Sequence, residues 1–241
     1  MTIRSVLPHQ HPRVAPSLDA ESVTFLPLWS RVVFVDWNGV LNNEPFWASI
    51  LTSNQHPLRE VLRRATMPLF TEQRETLRAW MRGTLTSEAI VRDLGVSLDR
   101  RYKPDFLLRR LHEDCRRMRC AVALVEELRA AKTNHLIVLA TDNMDCFWRA
   151  VPSIRDLTKT IDAVLCSSQL GVLKKDGVES FFGPWLRRHN LDFRDALLLD
   201  DTAETCETFR VAGGAAIVVT TMEDTVAALR EWRLNPRPSS Q

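Results

Sequence analysis

No stretch of this 241-residue chain approaches the run of about 18 apolar residues that a membrane-spanning helix needs. The first 20 residues lack a continuous hydrophobic segment and are broken by Pro8, Pro12 and Pro16, so a secretory signal is not expected. Paired cysteines are missing too. The five present (Cys115, Cys120, Cys146, Cys166 and Cys206) are odd in number, scattered and without a CxxC spacing. They point to reduced thiols and a cytoplasmic setting rather than a disulfide framework or a zinc site. An excess of one charge is lacking: the net charge is +2, too balanced to argue by itself for a nucleic-acid or membrane partner. Nothing in the sequence resembles a nucleic-acid recognition motif. Internal repeats and low-complexity tracts are absent. What remains is ordinary globular composition, 45% hydrophobic and 26% charged.

Residues 1–30 are expected to form an extended arm, in which His9 and His11 are solvated and Phe25–Trp29 could dock on the domain. A short β-branched run, Arg31 to Asp36, then ends in a polar loop containing Gly39 and predicts a buried strand. Similar runs follow at 135–140, 196–200 and 215–219, with a shorter one at 162–165. Helical spacing of apolar residues separates them, at 120–131, 178–188, 202–212 and 222–232. Such alternation implies an α/β fold with a parallel sheet covered on both faces. Between residues 44 and 118 the alternation stops. Amphipathic helices are predicted there at 58–64, 71–82, 87–94 and 105–117, with Thr71 and the Thr86–Ser87 pair as start signals. The domain plan is therefore an α/β core (31–43 and 119–232), a helical insertion (44–118) and a C-terminal tail (233–241).

The polar residues that could carry chemistry each fall just after a predicted strand, where open parallel sheets bind their ligands. Asp36 ends the first strand, and a carboxylate there can act as a covalent nucleophile. Gly39 permits a sharp turn and close approach to a ligand. Trp37, between the nucleophile and Asn38, is expected at the site rather than in the core. Thr141 ends the second strand, and its hydroxyl with the N–H groups of Asp142 and Asn143 could hold a phosphoryl oxygen. Lys174, in the loop Gly171-Val172-Leu173-Lys174, could neutralise nucleophile and phosphoryl group alike. Asp200 and Asp201 close another buried strand; two adjacent carboxylates there call for a cation, and Mg²⁺ prefers oxygen ligands and keeps several waters. Taken singly, Asp36 could merely cap a turn, Thr141 could cap a helix and Lys174 could be solvated.

In their order and spacing the four segments resemble the motif series of the haloacid dehalogenase (HAD) superfamily, over residues 31–232. The segment 171–174 resembles that family's lysine loop, with Lys175 where proline is common. Asp200-Asp201-Thr202-Ala203-Glu204 resembles its last motif, with Thr205 where an acid or amide is common. The insertion is similar to its helical cap, and Trp80–Ala89 resembles a segment found in such caps. The resemblance implies a Rossmann-like core and a Mg²⁺-dependent phosphatase of a small phosphorylated molecule. Asp36 would form an aspartyl-phosphate. The metal would be held by Asp36, the Asn38 carbonyl and Asp201, with Asp200 beside them, while Thr141 and Lys174 would stabilise the phosphoryl group. One departure stands out: Asn38 occupies the position of the family's acid–base aspartate, and an amide cannot shuttle a proton. That opens an alternative, a catalytically impaired relative that binds a phosphorylated ligand or a protein partner. A displacement whose leaving group needs no proton is a third option. The arginine pairs of the insertion (63–64, 100–101, 109–110 and 116–117) predict a solvated face or, more sharply, attraction of an anionic substrate. Cys146 and Cys166 are expected to be inert buried thiols.

Overall fold

A computed structural model gives the fold and describes residues 31–234; the expectations for the N-terminal arm and for residues 235–241 lie outside it. Five parallel strands form one sheet: β1 (Arg31–Val35), β2 (His135–Thr141), β3 (Ala163–Cys166), β4 (Ala196–Asp200) and β5 (Ala215–Val218), in the order β3-β2-β1-β4-β5. The chain moves outward from β1 to β3, then returns to the other side of β1 for β4. The order therefore reverses between β1 and β4, and the crevice beyond their carboxyl ends is where such sheets take ligands.

Period-two alternation sorts the strand residues onto two faces. Val33, Val35, Ile137, Leu139, Leu197 and Leu199 belong to one hydrophobic cluster, while Val32, Phe34, Val138, Ala140 and Leu198 belong to the other. Six helices lie between β1 and β2, the first five of them in the insertion: α1 (Ala48–Leu51), α2 (Arg59–Thr71), α3 (Arg74–Met81), α4 (Ser87–Asp93) and α5 (Phe106–Arg117). They precede α6 (Val122–Ala131). Beyond β2 come α7 (Asp145–Ala150), α8 (Arg155–Thr160), α9 (Ser167–Leu170) and α10 (Val178–Arg188). The chain closes with α11 (Ala203–Val211) and α12 (Met222–Leu234). The second face is covered by α10 and α11 through Phe181, Phe182, Leu186 and Phe209. The first is covered by α6, α7, α8 and α12 together with the insertion.

Three points differ from the sequence reading. Thr71 ends α2 rather than starting the next helix. Its hydroxyl donates to the Met67 carbonyl at 2.9 Å, and the buried face Leu62–Thr66–Leu69 carries α2 past Pro68. The short helices α1, α7, α8 and α9 were not predicted. The last helix runs through Leu234, so Arg233 belongs to it, lying 3.6 Å from Glu127.

The insertion is fixed to the core by specific contacts as well as by its shared hydrophobic cluster. Trp47 Nε1 donates to the Leu107 carbonyl at 2.9 Å within the insertion. Buried Asp145, at the start of α7, accepts from Trp80 Nε1 (3.0 Å), Ser87 N (3.1 Å) and Ser87 Oγ (2.6 Å), and pairs with Arg149 at 2.7 Å. Ser167 Oγ donates to the Met81 carbonyl at 2.7 Å. The turn after α3 approaches α9 closely. Gly83 has φ +70°, and a Cβ there would lie 2.3 Å from the Ser168 carbonyl oxygen, so glycine is required.

Candidate active site

Asp36 follows β1 and continues its ladder, donating from its backbone to Leu199 O at 2.9 Å. Its side chain is buried. Oδ1 accepts from Trp37 N at 2.7 Å, and Oδ2 meets Lys174 Nζ at 2.8 Å. The same ammonium lies 2.5 Å from Asp200 Oδ2, while Asp200 Oδ1 accepts from Thr202 N at 2.8 Å. Lys174 thus bridges the carboxylates that end β1 and β4. It reaches them from a 3₁₀ turn whose Leu173 N–H donates to Asp176 at 2.9 Å. Arg82 of the following insertion turn grips that Asp176 with two bonds, at 3.0 and 2.6 Å. The insertion therefore holds the loop that presents the lysine.

Asp201 is exposed, and among the described residues its Oδ1 accepts only from its neighbour Thr202 Oγ1, at 3.3 Å. Carboxylate oxygens of Asp36, Asp200 and Asp201 lie within 4.8 Å of one another. Three carboxylates against one ammonium leave an uncompensated negative charge, which favours a bound cation. Both oxygens of Asp36 and both of Asp200 already have donors, so Asp201 is the freest of the three ligands. Gly39 makes the convergence possible: its φ is +75°, and a Cβ would lie 2.0 Å from Asp201 Oδ2. This close fit and the oxygen-only donor set suit a hard divalent ion such as Mg²⁺.

Burial is the largest single influence on the titration of Asp36, Asp142 and Lys174. It pushes the Asp36 carboxyl up to about 6, with Lys174 pulling in the opposite direction. The Asp142 carboxyl is likewise raised by burial, again against Lys174. Burial works against the Lys174 ammonium, yet Asp36, Asp200 and Asp142 together outweigh it and hold its pKa above the ordinary lysine value.

A cleft of about 360 Å³ opens over this cluster, lined by Asp36, Asn38, Asp142, Lys174 and Asp201, with further wall from Lys175, Gly177 and the start of α11. That volume suits a small molecule. Lys174 N donates to Asp142 Oδ1 at 3.0 Å, tying β2's end to the lysine loop. Thr141 is fully buried and outside the wall, and its hydroxyl is one of the buried polar atoms without a partner among the described residues.

Besides Thr141, three residues expected to contact substrate are not among those lining the cleft: Gly39, which instead packs against Asp201, Trp37 and Asn143. Trp37 is wholly buried with its ring 4.9 Å from that of Phe147, because the strand's inward packing continues one residue past Asp36. Asn143 is also buried. Its backbone N–H donates to Ser167 Oγ at 2.9 Å, and its own Oδ1 accepts from Met144 N at 3.0 Å, which braces the loop after β2. Glu204 and Thr208 were missed as wall residues. Their signal was the spacing of Thr205 and Thr208, three apart on one face of the helix that follows Asp201. No residue of the insertion is among those lining the cleft. The five cysteines are free and buried. Among the described residues, no helix is long and apolar enough to cross a membrane.

No family model and no curated protein matches the sequence. Solved structures do match. A predicted HAD-like family hydrolase from Porphyromonas gingivalis superposes with a TM-score of 0.64 at 14% identity, over 87% of this chain and 100% of that one. A HAD family enzyme from Bacteroides thetaiotaomicron, in complex with magnesium and inorganic phosphate, gives 0.55 at 12% identity over 78% and 93%. The L-2-haloacid dehalogenase of Xanthobacter autotrophicus, with chloropropionic acid covalently bound, gives 0.56 at 14% identity over 87% and 84%. At these identities the likeness carries architecture and leaves the chemistry to the side chains. The chain has a HAD-like fold.

Proposed function

We propose that this protein is a Mg²⁺-dependent hydrolase that removes a phosphoryl group from a small phosphorylated molecule through an aspartyl-phosphate on Asp36. The observation that carries this reading is the position of the Asp36 carboxylate. It sits at the reversal point of the sheet, against Lys174 and within an acidic trio. Asp36, Asp201 and the Asn38 carbonyl would hold the ion, with Asp200 beside them. When bound, Mg²⁺ draws negative charge from phosphoryl oxygens and from the nucleophile. Asp36 attacks phosphorus, the bond to the leaving oxygen breaks, and water later cleaves the aspartyl-phosphate. Lys174 stays charged throughout and offsets the negative charge that collects between Asp36 and the phosphoryl group. The solved relative that holds magnesium and inorganic phosphate on the same fold supports the choice of ion and group. The insertion, residues 44–118, acts as a cap chiefly by fixing the lysine loop through Arg82.

The test is phosphate release from a panel of phosphomonoesters and acyl phosphates, with EDTA and Asp36→Ala as controls. Turnover that vanishes under both controls is expected. No release above the Asp36→Ala background on any panel member would remove the hydrolase reading. One observation favours a second reading, a silent relative that binds phosphorylated ligands: the exposed side chain beside the nucleophile is the amide of Asn38. That reading predicts phosphate binding by the wild type without turnover.

A further inference from the structure

Hydrolysis of an unactivated phosphate ester requires two proton transfers, and this inference rests on the phosphatase reading above. The departing oxygen needs a proton as its bond to phosphorus breaks. The water that attacks the aspartyl-phosphate must afterwards lose one. Asn38 faces the cleft and can make neither transfer. The other ionisable groups on the wall are Asp36, Asp142, Lys174, Lys175, Asp201 and Glu204. Asp36 is the nucleophile, Lys174 is locked between two carboxylates, and Asp201 is assigned to the ion. Lys175 and Glu204 are exposed to solvent.

Asp142 differs from all of these. It follows Thr141 directly, lies half-buried on the cleft wall and meets one protein donor, the Lys174 N–H, at 3.0 and 3.3 Å. One shared N–H leaves most of the acceptor capacity of a carboxylate unused. An ionised carboxylate facing a phosphoryl pocket would repel the substrate, whereas a protonated one donates a hydrogen bond to it. We propose that the Asp142 carboxyl gives a proton to the leaving oxygen and later takes one from the attacking water, the two transfers that Asn38 cannot make. In the first step the Asp36 oxygen bonds to phosphorus, the phosphorus–oxygen bond to the leaving group breaks, and the freed oxygen takes the Asp142 proton. In the second, water bonds to phosphorus and passes a proton to Asp142, and the phosphorus–Asp36 bond breaks. Both carboxyl groups return to their starting states. The raised pKa that burial gives Asp142 is in keeping with a carboxyl that holds its proton while substrate binds.

The test compares two aryl esters in the Mg²⁺-loaded full chain. The 4-nitrophenolate of 4-nitrophenyl phosphate leaves without a proton; the phenol of phenyl phosphate needs one. Asp142→Asn keeps a side-chain acceptor for the Lys174 N–H. It is expected to lower kcat/KM for phenyl phosphate by about 10²–10⁴-fold, the usual contribution of an acid–base group, and to leave kcat/KM for 4-nitrophenyl phosphate nearly unchanged, because that ratio ends at departure of the leaving group; kcat, which includes the later water attack, should fall for both. Adding Asn38→Asp to that variant should restore much of the lost rate. Asn38→Asp alone should gain little, since the acid is already supplied. Equal losses of kcat/KM on both esters, no loss on either, or a gain of tenfold or more from Asn38→Asp alone would each overturn the assignment. The last of these stands even if Asp142→Asn fails to fold. Absence of 4-nitrophenyl phosphate turnover in the wild type would instead strike the phosphatase reading beneath it.

Discussion

Replacing Asp145 by alanine should be among the most damaging single changes in this fold, although Asp145 is absent from the cleft wall. Its carboxylate accepts from Trp80 Nε1, Ser87 N and Ser87 Oγ and pairs with Arg149. After truncation, Trp80 Nε1 still has Ser87 Oγ at 3.2 Å, and Arg149 still has Glu88 at 2.6 Å. The Ser87 N–H and hydroxyl lose their acceptor, and Ser87 is fully buried. Each orphaned buried donor costs about 1–3 kcal/mol, so a loss of roughly 3 kcal/mol is expected, from a total stability of about 5–15 kcal/mol. At roughly 2–4 °C per kcal/mol for a chain of this size, the midpoint should fall by about 6–12 °C. Asp145→Asn keeps the carbonyl acceptor and loses only the charge facing Arg149, so it should lose less than about 1.5 kcal/mol. Urea denaturation with parallel thermal melts measures both. A loss below about 1 kcal/mol for alanine, on the scale of a single ordinary hydrogen bond, would refute the account. So would asparagine behaving as badly as alanine, since charge rather than donor satisfaction would then be decisive.

Gly39→Ala should lose about 1–2 kcal/mol from its positive φ alone, and displacement of Asp201 should abolish stabilisation by Mg²⁺; a Mg²⁺-induced shift in the melt equal to the wild type's would refute it. Burial pushes the thiols of Cys166 and Cys206 up to about 11 and that of Cys120 up to about 12. Alkylation of the native protein at pH 8 should therefore spare these three, and burial shields Cys115 and Cys146 from the reagent, whereas all five react in denaturant; mass spectrometry reads the count. Hydrogen bonds from Arg149 hold the Glu88 carboxyl down at about 2, against an ordinary value of 4.5. The folded state thus binds this proton more weakly than the unfolded chain, so the contribution is complete above pH 4.5 and is lost as pH falls towards 2. The pair is half-exposed and its contribution small, below about 1 kcal/mol, and the acid limb of the stability curve should flatten slightly in Glu88→Gln. An unchanged limb would sink the assignment.

The core was legible because buried parallel strands write themselves as short apolar runs and because a charged residue at the end of such a run needs a reason. Asp36, Lys174 and Asp200 obey that logic and meet within hydrogen-bonding distance. Trp37 and Asn143 misled for a related reason. Adjacency to a site residue says nothing about which way a side chain points, and both point inward. Thr71 looked like a helix start because a cap is a local signal, whereas the buried Leu62–Leu69 face that carries α2 past it depends on packing. Asp145 could not be found at all: its partners Trp80 and Ser87 are about sixty residues away in the chain, and no local pattern marks an acid that collects donors from another segment.

The insertion and one face of the sheet share a single hydrophobic cluster, from Trp47 and Leu62 to Leu128 and Leu229. This has a consequence for how the molecule can vary. A lid joined by flexible linkers can be exchanged, lengthened or removed while its platform still folds. Here the insertion supplies part of the platform's own interior, so excision would expose the inner faces of α7 and β2 rather than uncover a ready-made domain. Variation in ligand preference is accordingly easiest in the solvent-facing positions of the cleft wall, Lys175, Glu204 and Thr208, where a side chain can change without reopening the interior.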